Sequence, residues 1–124
     1  MIINPENLAD CSKGILELAD RLEYIAGLHK TTLVVHRTKS KNPTGNSWHD
    51  DGRAIDFSFA NINVFKLCTE LYYFCAGQEG AFKGVTEFEM VRGFINGLPA
   101  QHFHIAKGDE SRLETFTSDY SHYK

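Results

Sequence analysis

The chain has 124 residues, of which 42% are hydrophobic and 23% charged, a composition typical of a globular domain and not of a disordered chain. Lysine and arginine total 13 against 16 acidic residues, and the net charge of −3 argues against a nucleic-acid partner. No apolar run approaches the roughly 20 residues of a membrane span, and the N-terminus lacks a secretory signal pattern. We therefore expect one domain over 1–124, monomeric and made in the cytoplasm, with no nucleic-acid or membrane partner.

The first half of the chain predicts a helix, a strand and a loop. Asn4-Pro5-Glu6 is typical of a helix start, and apolar residues then recur at spacings of three and four as far as Ile25. Gly27 offers a helix stop. The β-branched segment 31–36 predicts a strand, and the polar segment 38–48 predicts an exposed loop.

The second half predicts a strand over 53–59, a helix over 61–76, a strand over 82–91, a turn at 96–99 and a strand over 102–106. The polar tail from Lys107 predicts a short helix or coil. This order of elements indicates an α+β fold, with a small antiparallel or mixed sheet and the helices on one face. Cysteines at positions 11, 68 and 75 fall on apolar helical positions without paired spacing, so we expect buried thiols and no disulfide.

Polar side chains gather on one face of two predicted strands. One strand turns Asp56 away from its apolar neighbours, and a later strand turns His102 and His104 away in the same manner. His49 lies in the loop that precedes Asp56. Two imidazoles and a carboxylate that converge on one face can hold zinc and leave a fourth position open for water.

The segment from Ser47 to Asp56 has the pattern SxHxxGxAxD, and the HxH pattern of His102 and His104 follows much later. Together these motifs resemble the zinc-site signature of the M15 D-alanyl-D-alanine metallopeptidases, whose fold is shared with the zinc-binding domain of hedgehog proteins. The resemblance spans roughly Leu33 to Gly108 and outside the motifs rests on the order of elements.

The resemblance implies that His49, Asp56 and His104 hold one zinc ion. It implies that His102 polarises the substrate or stabilises the oxyanion, and that Gly52 suits a tight turn before the strand.

The resemblance also implies two residues on the substrate side. Ser47 would brace the loop that carries the first ligand. Arg37 lies at the position where many members of the family have an arginine that contacts the substrate carboxylate. The segment before it, Val34–His36, departs from the usual Ser-Gly-aromatic lead-in, so a solvated loop charge remains the alternative for Arg37.

The general base is the point at which this chain departs from the family. One branch carries an acid where this chain has Gln101, and the hedgehog-like branch carries a glutamate where it has Leu98. Glu87 and Glu89 alternate onto one face of the preceding strand, and Glu89 lies beside the metal if it pairs across the hairpin near His104. We assign the base to Glu89, with Glu87 as the alternative.

The resemblance implies a zinc peptidase that cleaves peptidoglycan stem peptides or cross-links, either as a D-Ala-D-Ala carboxypeptidase or as an endolysin-type endopeptidase. By analogy with phage lysis enzymes, it would reach the cell wall after release or as part of a virion. The alternative is a catalytically inactive zinc-binding module that is structural or binds the cell wall, for instance in a phage particle. A zinc-free fold ranks last.

Overall fold

A computed structural model describes residues 2–38, 52–62, 64–95, 98–108 and 117–119. The elements are β1 (Ile2–Ile3), a 3-10 turn (Pro5–Leu8), α1 (Lys13–Leu28), β2 (Leu33–Arg37), β3 (Ala54–Phe59), α2 (Val64–Gly77), a second 3-10 turn (Gly80–Phe82), β4 (Val85–Ile95), β5 (Leu98–Lys107) and β6 (Thr117–Asp119). The predicted loop lies outside these residues except for Thr38. None of the described helices is long and apolar enough to cross a membrane.

The described strands form one six-stranded sheet in the order β1-β2-β3-β5-β4-β6. The outer pairs β1–β2 and β4–β6 are parallel, and the inner pairs are antiparallel. The predicted α+β class with a mixed sheet is therefore confirmed.

Both helices pack on the same face of the sheet. Leu22 of α1 and Leu71 of α2 belong to one buried cluster with the strand residues Phe57 and Phe103. The rings of Phe57 and Phe103 have their centroids 5.4 Å apart. Because side chains alternate along a strand, the neighbours of Phe57 in β3 and of Phe103 in β5 point to the opposite face of the sheet.

The predicted long N-terminal helix is wrong in its first part. The structure has a short 3-10 turn there, and α1 begins only at Lys13. The break lies at Asp10, whose φ of 62° is left-handed and cannot continue a helix. Ser12 then starts α1, because its hydroxyl accepts a hydrogen bond from the backbone N–H of Ile15.

The predictions for the last third also need correction. Pro99 does not lie in a turn but in β5, opposite Phe94 of β4. Among the described residues β3 pairs with β5 only from Phe103 onward, so β5 has a partner strand on one side at Pro99, where a missing N–H is tolerated. The tail, predicted as helix or coil, contributes the short strand β6 beside β4.

The cysteines follow their prediction in α2 but not near the N-terminus. Cys68 and Cys75 are buried free thiols, and burial raises the pKa of both. Cys11 is only partly buried and precedes α1 instead of lying on it.

Replacing a leucine of α1 tests the core. Leu22 is fully buried, so Leu22→Ala should lower the free energy of unfolding by about 2–5 kcal/mol, measured by urea denaturation. Leu28 in the same helix is 63% exposed, and Leu28→Ala should change stability by less than about 0.5 kcal/mol. Equal losses in the two variants would contradict the packing described.

Candidate metal centre

The strand register brings four of the predicted site residues into one row across the sheet. We define the sheet surface opposite the helices as the polar face. Asp56 of β3 lies opposite His104 of β5, and His104 lies opposite Glu89 of β4. Arg37 is opposite Asp56 on the other side, at the exposed end of β2. One continuous line across four strands therefore carries two acids, an imidazole and a guanidinium.

His104 is held by carboxylates at both ring nitrogens. Its Nδ1 donates a hydrogen bond to Oδ1 of Asp56 at 2.8 Å, and its Nε2 donates to Oε1 of Glu87 at 3.1 Å. The side chains of His104 and Asp56 are each only 13% exposed. His102 lies beside this pair, with its Nε2 at 3.9 Å from Oδ2 of Asp56.

This arrangement favours the protonated imidazole. Burial lowers the pKa of His104, but the hydrogen bonds to Asp56 and Glu87 outweigh it and, with the charge of Glu89, raise the pKa to about 9. A metal ion binds only the neutral ring, so binding at His104 must release a proton near neutral pH.

His36 is a site neighbour to which the sequence assigned no role. The register of β2 against β3 shifts between Val35 and Arg37, which is the irregularity of a β-bulge. His36 Nε2 is hydrogen-bonded to Oγ of Ser58 at 2.7 Å, and its ring lies edge-on to that of His102 with centroids 6.3 Å apart. Burial and the neighbouring His102 lower its pKa against the opposing effect of Asp56, which favours a neutral ring. Alternation turns His36 to the polar face, since Leu33 and Val35 are buried in the core, but only the pairing of the strands shows its contacts with Ser58 and His102.

The backbone conformation and the close packing at Gly52 of the motif require a glycine. Gly52 has a φ of +68°, and a Cβ atom at this position would lie 2.6 Å from the backbone oxygen of Asp10. Its own carbonyl accepts a hydrogen bond from the N–H of Ser12 at 2.9 Å. Gly52 thus fastens the start of β3 to the cap of α1, on the sequence segment that carries the predicted ligands.

Two of the predicted site residues, Ser47 and His49, lie outside the described residues. Within the described part of the chain, no three His, Cys, Asp or Glu side chains are arranged to hold a metal ion. Asp56 and His104 nevertheless have the donor chemistry of a zinc site, and they share a direct hydrogen bond on adjacent inner strands of the sheet. The residues present therefore fit two of the three protein ligands of such a centre.

No family model, no curated protein and no solved structure gives a significant match to this chain.

The backbone constraint at the motif predicts opposite effects for two glycine substitutions. Gly52→Ala should lower the free energy of unfolding by about 2 kcal/mol or more, because alanine is strained at positive φ and its Cβ would clash with a backbone oxygen. Gly27→Ala meets nothing within 4 Å in α1 and should raise it by about 0.5–1 kcal/mol. Urea denaturation measures both, and a neutral Gly52→Ala would refute the constraint.

The elevated pKa of His104 predicts a pH-dependent stability of the metal-free protein. A pKa raised from 6.5 to about 9 stabilises the fold fully below pH 6.5, and this stability is lost as the pH rises towards 9. The whole contribution is roughly 3 kcal/mol at most. Urea denaturation from pH 6 to 10 should show the decline, and Glu87→Gln should move it to lower pH because it replaces a charged acceptor with a neutral one. Identical profiles for the two proteins would contradict this assignment.

Proposed function

We propose that this chain is a zinc-dependent peptidase that cleaves peptide bonds in peptidoglycan stem peptides or cross-links, on a fold like that of the hedgehog and D-alanyl-D-alanine peptidase domains. The observation that carries the proposal is the contact of Asp56 with His104 on paired strands, where each side chain is only 13% exposed. These residues are also the two described members of the ligand set implied by the motif resemblance. The bond cleaved would involve a D-amino acid or lie next to one.

In the proposed centre, His104 offers Nδ1 and Asp56 offers a carboxylate oxygen, with His49 as the third ligand. Glu87 keeps the hydrogen of Nε2 and so fixes the tautomer and the orientation of the ring, as carboxylates do behind metal-binding histidines. Zinc, when bound, supplies a Lewis acid that polarises the scissile carbonyl and lowers the pKa of water.

We assign proton transfer and oxyanion stabilisation to other polar residues near the proposed ligands. Asp56 would serve as a ligand, and Glu87 contacts Nε2 of His104. Glu89 lies opposite His104 on β4, in the same row, and we assign the role of base to it. It would take the proton from the attacking water and deliver it to the leaving amine. His102 lies beside Asp56, and in this proposal it would donate a hydrogen bond to the developing oxyanion.

A second candidate is a zinc-binding module without hydrolytic activity, structural or cell-wall-binding, for instance in a phage particle. It is favoured by Gln101, which stands where one branch of the resembled family carries its acid. The two candidates share the metal and differ only in turnover. Under either one, the protein would act on the wall after release from the cell or as part of a virion.

The substrate test is incubation of zinc-loaded protein with defined peptidoglycan fragments, followed by mass spectrometry. Loss of a terminal D-alanine identifies a carboxypeptidase, and cleavage within the stem or cross-link identifies an endopeptidase. A chelator should abolish either product. A zinc-loaded protein that leaves all fragments intact supports the second candidate instead.

Substitutions separate ligands from the base. His104→Ala and His49→Ala should each lose zinc, measured by metal analysis after dialysis, and activity with it. Glu89→Gln should retain zinc and lose turnover by roughly 100-fold or more, the usual contribution of a general base. His29→Ala, at the end of α1 beside Glu70, serves as the histidine control and should change neither. Full zinc content in His104→Ala would refute the centre, and unchanged turnover in Glu89→Gln would refute the base.

A further inference from the structure

The rings of His36 and His102 contact each other on the polar face, beside the proposed ligand Asp56. Their centroids are 6.3 Å apart and their planes meet at 68°, the edge-to-face arrangement that aromatic pairs prefer. His102 is buried, whereas His36 is partly buried. The proposed function gives His102 the hydrogen bond to the oxyanion, so the contact joins that residue to a side chain that has no assigned role.

The backbone of β2 fixes where His36 lies. Leu33 and Val35 are fully buried in the core, and alternation therefore turns His36 to the polar face. The side-chain amide of Asn7, in the first 3-10 turn, donates hydrogen bonds to the backbone oxygens of Val35 at 2.9 Å and His36 at 3.4 Å. These bonds hold the segment of β2 that carries the ring, at the place where its pairing with β3 is irregular.

Ser58 of β3 restrains the ring of His36. Its Oγ is hydrogen-bonded to Nε2 of His36 at 2.7 Å. The last side-chain torsion of a histidine has a broad energy minimum, so a hydrogen bond at the ring decides which orientation is populated. The orientation in which His36 meets His102 is therefore set by two strands, by β2 through its backbone and by β3 through Ser58.

The contact of His102 with Asp56 is longer than a hydrogen bond, with 3.9 Å between Nε2 and Oδ2. The carboxylate attracts the ring at this distance, but the attraction lacks the directionality of a hydrogen bond. A flat neighbour in edge contact restricts the tilt of the ring, because atoms in a closely packed interior cannot overlap. Orientation matters here, since an oxyanion donor is effective only when it already points to the place where the charge develops.

We propose that His36, held by Ser58, is a positioning residue that orients His102 towards the developing oxyanion. The inference rests on the proposed function, because it takes the role of His102 from it. An oriented donor stabilises the transition state and not the bound substrate, so loss of the orientation lowers kcat and leaves KM unchanged. His36 is not among the proposed ligands, and loss of its ring leaves the zinc content unchanged.

The ring contact is tested first, by NMR on the metal-free protein. The wild type should show a nuclear Overhauser effect between the ring protons of His36 and His102, and Ser58→Ala should weaken it because the ring of His36 is released. Ser118→Ala removes the same hydroxyl from an exposed position of β6 and should leave the effect unchanged. Absence of the effect in the wild type, or equal effects in all three proteins, would overturn the inference whatever the protein catalyses.

Kinetics of the zinc-loaded protein then test the positioning role. Ser58→Ala and His36→Ala should each lower kcat about 10-fold, less than the roughly 100-fold or greater loss expected when an oxyanion donor is removed, with KM and zinc content unchanged. His36→Phe keeps a flat ring against His102 and should be faster than His36→Ala, and Ser118→Ala should match the wild type.

The outcomes separate this inference from the proposed function. An active wild type whose Ser58→Ala and His36→Ala variants keep its kcat would refute the positioning role. So would a His36→Phe variant no faster than His36→Ala, or zinc lost together with activity. An inactive wild type with an intact ring contact would refute the proposed function instead.

Discussion

The pairing of β3 with β5 is the constraint on which both the core and the candidate site depend. The same register sets Phe57 against Phe103 on the helix side and Asp56 against His104 on the polar face. A slip of one residue would turn the aromatic rings to the polar face and the charged groups into the core. The apolar packing that stabilises the sheet therefore also fixes the distance between the two proposed ligands.

The cost of this arrangement is a charged cluster with little exposure to solvent. The protonated ring of His104 compensates the charge of both carboxylates, because it donates one hydrogen bond to Asp56 and another to Glu87. In the proposed centre a zinc ion would take the place of the Nδ1 proton, with Glu87 still bound at Nε2. Under the proposal, the proton and the metal ion would compete for His104, so metal affinity would depend on pH.

The two sides of β5 direct their polar groups to different surroundings. His104 points to the polar face and contacts Asp56 and Glu87, whereas Lys107 points to the helix side and donates hydrogen bonds to the backbone oxygens of Gly14 and Ala81. The net charge of −3 says nothing of this division, because it does not record the face to which a strand directs each charge.

The sequence by itself determined the α+β class and the turning of Asp56, His102 and His104 away from the core, because alternation and helical spacing are local properties of the chain. It placed the start of the first helix too early, because the left-handed backbone of Asp10 does not change the spacing of the apolar residues. The tertiary structure alone decided that Glu87 contacts His104, that His36 lies beside His102, and that the buried ammonium of Lys107 is held by the backbone oxygens of Gly14 and Ala81. Those contacts join segments far apart in the sequence, and their geometry is set by register and packing, which no local pattern encodes.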